Sequence, residues 1–444
     1  MISAIKRTFK GGVHPPDCKS LTSSKAIEVM PISSKVVIPL QQHIGRISEP
    51  IVQVGDTVLR GQPISKASGP VSSPAHASIS GTVTLMESFP HPVGQSVPAV
   101  VIESDGLDKG YQSYKYDDNY MDLSVEEMKA RITDAGITGM GGATFPTHVK
   151  LMPPPDSPID TVILNGAECE PYLTSDHRLM LENTEDIING LRILMKILNV
   201  KSGFVAIEDN KPDAIEKFSA LLKDDPYITV FSLEMKYPQG AEKQLIYAAT
   251  KRSVPAGKLP MAVGCVVQNV STAKVVYDAV AAQRPLIKRV VTVAGAVKDP
   301  KNLLVRIGTP IKEVIDYCGG FSEEPGKVIM GGPMMGIAQF TLDVPIIKGS
   351  SGIVVLGRQD VKEIEMQACI SCARCADVCP MNLMPLFLAG YIENARWDLA
   401  REAGIMNCME CGSCAFVCSG GRSMMHLIRY GKFMVQEMEK AEKN

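Results

Sequence analysis

Eight of the twelve cysteines fall between positions 369 and 418, in two runs of one pattern. The first is Cys369-x2-Cys372-x2-Cys375-x3-Cys379, followed by Pro380; the second is Cys408-x2-Cys411-x2-Cys414-x3-Cys418. Each cysteine of the first run recurs 39 residues later, so the ligand geometry is internally duplicated. Two-residue gaps let three successive thiolates wrap one side of an iron–sulfur cubane, and the fourth cysteine of such a run ligates the other cluster of a pair. The spacing therefore assigns Cys369, Cys372, Cys375 and Cys418 to one [4Fe-4S] cluster, and Cys408, Cys411, Cys414 and Cys379 to a second. Structural zinc sites use cysteine pairs separated by loops, so four cysteines in one short run favour iron. Ser419 stands where a proline usually follows the last cysteine, but the ligands are intact. Cys18, Cys169, Cys265 and Cys318 are scattered singly and read as ordinary small residues. This distribution is that of a metal-binding chain in a reducing compartment, not of a disulfide framework.

A cluster pair needs a donor or acceptor, and three segments offer one. Gly136-Ile137-Thr138-Gly139-Met140-Gly141-Gly142-Ala143-Thr144-Phe145-Pro146-Thr147-His148-Val149-Lys150 is dense in glycine and ends in lysine. Glycines let backbone N–H groups close on a phosphate, and a lysine adds a point charge. Taken alone the loop is as readily a turn, and it lacks the lysine spacing of a nucleotide hydrolase. Asn165-Gly166-Ala167-Glu168-Cys169-Glu170-Pro171 follows a short β-rich run, at the end of a strand where open α/β sheets bind ligands. In Val267-Gln268-Asn269-Val270-Ser271-Thr272-Ala273, Ser271 or Thr272 is placed to cap the next helix, a role compatible with receiving a phosphate.

Together these segments resemble the flavin- and NADH-binding subunit of respiratory complex I and the related hydrogenase diaphorases. That family carries a Gly-Gly-Ala-Gly-Phe-Pro-Thr loop, an Asn-Ala-Asp-Glu-x-Glu-Pro loop and an Asn-Asn-Val-Glu-Thr-like helix start, in the same order. The resemblance implies FMN held by Gly139, Gly141, Gly142, Lys150, Asn165, Asn269 and Thr272, with the nicotinamide nucleotide near Phe145, Glu168 and Glu170. Gly240-Ala241-Glu242-Lys243 is similar to the family's Gly-Glu-Glu turn, which implies nucleotide contacts for Glu242 and Lys243. Ala167 replaces the aspartate of the acidic loop and Ala241 one glutamate of the turn.

The elements that must position these residues can be read from the rest of the chain. At 444 residues it exceeds the size of one hydrophobic core. A composition of 45% hydrophobic and 21% charged residues is that of a folded protein, and a net charge of -2 argues against nucleic-acid binding. No opening segment has the order of a signal peptide, and no apolar run approaches the ~18 residues of a membrane span. Short apolar stretches at 36–40, 50–54, 57–59, 79–85 and 99–103 are broken by turns. The phrases 54–62 and 74–83 resemble the biotinyl/lipoyl barrel-sandwich domain. The intervening 68–73 has no lysine, and Lys66 comes too early, so a scaffold is expected instead of a prosthetic-group carrier. Residues 111–123 read as a linker. Strands at 161–164, 203–207 and 228–233 then alternate with helices at 186–198 and 212–222, which predicts a parallel sheet covered by helices. Residues 290–297, 302–307 and 310–317 open a smaller β-rich unit, and 424–438 form an amphipathic helix that either packs on the cluster unit or docks to a partner.

The segment 290–321 resembles the soluble-ligand-binding β-grasp domain that follows the flavin domain in the same family. The expected architecture is thus multidomain, α/β and β. It comprises a barrel-sandwich hybrid at 1–110, a Rossmann-like FMN/NAD(H) domain at 124–285, a β-grasp domain at 286–350 and a helical, ferredoxin-like double [4Fe-4S] domain at 360–444. This order, with the opening Phe9-Lys10-Gly11-Gly12-Val13-His14-Pro15-Pro16, resembles the C subunits of the Rnf complexes, membrane-bound ferredoxin:NAD+ oxidoreductases. The resemblance implies a peripheral translocase subunit on the cytoplasmic face of the membrane. It implies other membrane subunits, and an iron–sulfur electron carrier or ferredoxin, as partners. Hydride passes between NAD(H) and FMN and single electrons to the clusters, with no acid–base catalytic residue. Two rivals stand beside it: a microcompartment-associated cobalamin reductase, and a colourless zinc scaffold that a visible spectrum would expose.

Overall fold

The computed structural model describes residues 7–112, 114–361 and 365–443. Residues 1–6, 113, 362–364 and 444, which belong to the expected first unit, linker and cluster unit, lie outside the described residues. Near the N-terminus, antiparallel strands run in the order Lys35–Pro39, Ser96–Ser104, Gly81–Pro90, Thr57–Val58, and Glu49–Pro50 pairs with Ser65–Lys66. Alternating apolar residues from both sheets, among them Val36, Ile38, Ile64, Ile79, Val83 and Ile102, make a closed core. Where a strand is expected at 50–54, the structure has only the two-residue strand Glu49–Pro50, and the chain turns at 53–56 through the bond from Asp56 N to Gln53 O. At 68–73, where a carrier would be modified, Ser72 and Ser73 are buried while Pro70 is exposed, and Pro70 O lies 3.3 Å from His148 Nε2 of the neighbouring unit.

The central unit is a four-stranded parallel sheet, ordered Ile228–Leu233, Gly203–Glu208, Thr161–Gly166, Cys265–Asn269. In chain order that is 3-2-1-4, so the direction of winding reverses between the first and fourth strands. Near-continuous apolar strands such as Val162, Ile163 and Leu164 are buried on both faces. Helices Val125–Asp134, Thr184–Leu198 and Val270–Ala282 share one core with the sheet, and Glu242–Thr250 packs on the other side. The expected linker is not loose: Tyr116 stacks on Tyr277 and Tyr120 meets it edge to face, 5.8 and 5.4 Å between ring centres, against helix Val270–Ala282.

A mixed six-stranded sheet follows, in the order Ile27–Val29, Lys301–Arg306, Lys288–Gly295, Gly352–Gly357, Pro325–Met330, Ile337–Ala338, with helix Ile311–Tyr317 against it. Its first strand comes from the N-terminal segment, so that segment serves the third unit. Residues further back thread elsewhere: Arg7 bridges to Leu233 and Val13 to Tyr237.

The cysteine-rich unit repeats itself at 39-residue spacing: helix Arg374–Asp377 corresponds to Ser413–Phe416, and helix Pro385–Glu393 to the start of Met424–Lys443. The left-handed residues repeat too, Ser371 with Glu410, Ala373 with Gly412 and Asn382 with Gly421. Met424, Ile428 and Val435 are buried against this unit, so the last helix packs on it. Among the described residues no helix is long and apolar enough to cross a membrane.

Helices Thr184–Leu198 and Val270–Ala282 meet where a Cβ on Gly190 would fall on the backbone of Ala273. Gly190→Ala is therefore expected to lower stability by about 1–3 kcal/mol through overpacking, despite alanine's better helix propensity. Thermal unfolding monitored by circular dichroism checks this.

Candidate functional site

The first and fourth strands of the parallel sheet end side by side. Their register pairs Asn165 with Asn269, and both loops of interest leave from these two residues. This is the switch point of an open α/β sheet, where the carboxyl ends of neighbouring strands part and leave a crevice. Asn269, not Ser271 or Thr272, caps helix Val270–Ala282: its side chain accepts from Ser271 N at 2.8 Å. Asn269 stands at the cap position itself, whereas Ser271 and Thr272 are already the second and third residues of the helix. Thr272 Oγ1 instead accepts from Met140 N at 3.0 Å, which lays the glycine loop over the helix start.

The fold requires glycine at 141 and not at 142. A Cβ on Gly141 would lie 2.6 Å from Asn269 Nδ2, whereas one on Gly142 would meet nothing within 4 Å. Gly139 N donates to Phe145 O at 2.8 Å and closes the loop, leaving 141–143 exposed at the crevice. Open backbone N–H groups beside a helix N-terminus fit an anionic cofactor.

The acidic loop is fixed from behind. Glu168 and Tyr172 adopt left-handed backbone, with φ of 47° and 68°. Lys19 Nζ, fully buried, donates to the carbonyls of Glu168 and Glu170, both at 2.9 Å, and to that of Leu173. Lys211 Nζ, also buried, donates to Ala167 O at 2.6 Å and lies 3.4 Å from Glu208. Burial lowers the pKa of Lys19, and burial raises that of Glu208 to about 7.

The expected site residues are partly united by this arrangement. Asn165 Nδ2 donates to Gly240 O at 2.8 Å, which brings the Gly240 turn to the crevice. Lys150 Nζ reaches Glu242 at 3.0 Å and Val267 O at 3.2 Å, so these two candidates are paired with each other. Lys243 points away, to Pro255 O at 3.4 Å. The Glu168 carboxylate accepts from Asp176 N at 2.7 Å and His177 N at 3.1 Å, and the Glu170 carboxylate from Met334 N and Met335 N. Burial raises the Glu170 pKa to about 6 against those two amides, which favour the ionised form.

Several participants gave no sequence signal. Asp176 is buried and accepts from Asn269 Nδ2 at 2.6 Å and from Ser271 Oγ at 2.5 Å; burial, then the nearby Glu168 carboxylate, raise its pKa. Arg289, from the mixed sheet, donates to Met140 O beneath the glycine loop, and burial lowers its pKa to about 10. Both lie far along the chain from their partners, so spacing could not reveal them.

Around the cysteines, two cavities appear, and each gathers four sulfurs. One, about 350 Å³, is lined by Cys379, Cys408, Cys411 and Cys414 with Leu388, Met425 and Ile428. The other, about 470 Å³, is lined by Cys369, Cys372, Cys375 and Cys418 with Arg374 and Arg422. Each cavity is lined by three cysteines of one run and the last cysteine of the other. None of the twelve cysteines is in a disulfide. Four cysteines lining one cavity are the donor set that a cubane cluster takes. The first cavity faces the crevice: Tyr237 donates its hydroxyl to Cys411 O at 2.7 Å, and Cys169 and Met334 pack on the small apolar cluster of Val13, Tyr237 and Cys411.

Comparison with known proteins accords with this geometry. Residues 7–107 match the RnfC barrel sandwich hybrid domain, 132–278 the Nuo51 FMN-binding domain, 290–338 the SLBB domain and 368–424 the 4Fe-4S dicluster domain. A solved NAD+-reducing [NiFe]-hydrogenase shares the fold over 70% of this chain and 64% of its own, at 15% identity and a TM-score of 0.50. The C subunit of the proton-translocating ferredoxin:NAD(+) oxidoreductase complex of Clostridium ljungdahlii is 52% identical over 89% of this chain and 87% of its own. The Na(+)-translocating counterpart of Acetobacterium woodii is 48% identical over 96% of both chains. The C subunit of the ion-translocating oxidoreductase complex of Rhodobacter capsulatus is 43% identical over 90% of this chain and 78% of its own. With four matching domains in the same order and such identity along nearly its whole length, this chain belongs to the Rnf family of C subunits of ion-translocating ferredoxin:NAD+ oxidoreductase complexes.

Proposed function

We propose that this chain is the NAD(H)-binding, FMN-containing iron–sulfur subunit of a membrane-bound, ion-translocating ferredoxin:NAD+ oxidoreductase. It passes electrons between two [4Fe-4S] clusters, FMN and NAD(H). The observation that carries the reading is the contact between the switch-point crevice and the cavity of Cys379, Cys408, Cys411 and Cys414, made through Tyr237 and Cys169. None of the relatives named above is a cobalamin reductase, and that reading is set aside. We read the parallel-sheet unit as Rossmann-like, the mixed sheet as β-grasp and the cysteine-rich unit as ferredoxin-like.

Bound FMN supplies the exchange between hydride pairs and single electrons. The chain's own residues bind and orient. Gly139, Gly141 and Gly142 open the backbone to the flavin phosphate, and Asn165, Asn269 and Thr272 shape the crevice at the two strand ends. Lys150, braced by Glu242, contributes positive charge beside it. Phe145 and Glu168 border the nicotinamide side, and Lys243 lies at the rim. Cys369, Cys372, Cys375 and Cys418 hold one cluster; Cys379, Cys408, Cys411 and Cys414 hold the other. The chain sits on the cytoplasmic face of the membrane through other subunits and exchanges electrons with an iron–sulfur carrier or ferredoxin. Relatives of similar identity are named for different ions, which accords with an ion path in those other subunits.

Two variants test the assignment. A Cβ at Gly142 meets no protein atom within 4 Å, so in Gly142→Val the fold should survive while a branched side chain blocks the backbone that meets FMN. The purified chain is expected to lose flavin and keep its iron; retention of stoichiometric FMN contradicts the site. Cys379→Ser should remove about half the iron, from the cluster otherwise held by Cys408, Cys411 and Cys414. Electron paramagnetic resonance of the reduced protein, set against Cys418→Ser, shows which signal disappears. Loss of the Cys369 cluster from Cys379→Ser would refute the crossed pairing.

A further inference from the structure

Resemblance to the flavin subunits puts Glu170 against the nicotinamide, but here its carboxylate is turned toward the mixed-sheet unit. It accepts from Met334 N at 3.0 Å and from Met335 N at 2.8 Å, in the hairpin loop 331–336 between strands Pro325–Met330 and Ile337–Ala338. The fit is close, since a Cβ on Gly332 would fall inside the Glu170 carboxylate. Glu170 itself cannot drift, because Lys19 holds its carbonyl at 2.9 Å.

What the loop carries is Met334. Its side chain packs on the buried cluster of Val13, Tyr237 and Cys411, on which Cys169 of the acidic loop also packs, and its N–H donates to Glu170 of that loop. Its carbonyl lies 3.1 Å from where a Cβ on Gly412 would sit, between Cys411 and Cys414. One residue of the third unit thus touches both the loop at the strand end and the loop around one cavity. Tyr237, from the second unit, reaches the same place through its bond to Cys411 O at 2.7 Å. Two such wedges from different units fix a separation that neither unit could fix alone.

We infer that Glu170 is a positioning residue for electron transfer: its carboxylate latches loop 331–336, and the latched loop sets Met334 between the flavin crevice and the nearer cluster. The inference rests on the placement of FMN and of that cluster proposed above. Each transfer moves one electron from reduced flavin to an oxidised cluster, and no bond is made or broken in the loop.

The test compares wild type, Glu170→Gln and Gly332→Ala as full chains carrying FMN and both clusters. Glutamine keeps the size but offers one acceptor oxygen for two donors, and the Gly332 methyl pushes on the same carboxylate from the other side. Hydrogen exchange at the Met334 and Met335 amides should rise about tenfold or more in Glu170→Gln, the weight of a charge-assisted hydrogen bond, with the sheet cores unchanged. Reduction of the cluster by NADH-reduced flavin, followed by rapid-freeze paramagnetic resonance, should slow by about tenfold in both variants, short of the ~100-fold that a 1 Å misplacement costs at a reacting centre. The KM for NADH in flavin bleaching should move by less than about twofold, as for a group with no ground-state contact to the nucleotide. A raised KM with cluster reduction unchanged would make Glu170 a nicotinamide contact and overturn the latch. Unchanged exchange, or faster exchange with an unchanged rate to the cluster, overturns it as well. If wild-type chain binds no FMN, or its FMN is not reduced by NADH, the functional reading falls first and the latch with it, and that is seen before any variant is made.

Discussion

Two ammonium groups taken out of water, those of Lys19 and Lys211, hold the irregular loop 165–173 on which everything else at the crevice rests. Moving a lysine into the interior costs several kcal/mol even after relaxation, so such a group stays only where its donors are used. Here they are used on backbone: the carbonyls of Ala167, Glu168, Glu170 and Leu173 all accept from one lysine or the other. A loop with residues in left-handed conformation leaves carbonyls pointing inward with no ladder to join, and the buried cations satisfy them. Lys211 has Glu208 beside it, whereas Lys19 meets carbonyls alone and brings its N-terminal segment with it.

That segment then continues to the clusters. Gly12 N donates to Val378 O at 2.9 Å and Val13 N to Tyr237 O at 2.7 Å, so one short strap touches the cysteine-rich unit, the parallel-sheet unit and the acidic loop. Gly11 and Gly12 have positive φ, and a Cβ on Gly11 would crowd the carbonyls of Val378 and Cys379. The strap's glycines are therefore explained by close backbone approach to a cavity that gathers four cysteines. The barrel-sandwich unit is equally fixed: Lys348, buried, donates to Pro74 O and Gly136 O, both at 2.7 Å, and pins its inward face to the start of the glycine loop.

The two cysteine cavities differ in setting although they are copies in sequence. Cys411 and Cys414 are buried beside Tyr237, while Cys369 and Cys372 are exposed. The second copy of the motif therefore faces inward to the crevice, and the first faces out. Only packing against the other units breaks the symmetry of the duplication.

The sequence by itself determined what depends on local spacing. The 39-residue repeat predicts which sulfurs share a cavity, because the fourth cysteine of each run lies beyond a turn that carries it to its neighbour's set. Alternation of apolar runs and helical periodicity located three of the four strands of the parallel sheet, missing Cys265–Asn269, and its helix Thr184–Leu198 begins two residues before its expected start. The stretch 68–73 has no lysine to carry a prosthetic group. What the tertiary structure decided is where the charges go. Lys150 pairs with Glu242, Glu168 bonds to the start of helix Ser175–Glu182, Glu170 reaches across to Met334 and Met335, and Lys243 turns away. A carboxylate's partner is whichever donor the fold brings within about 3 Å, and those donors lie up to 165 residues away, beyond the reach of any local pattern.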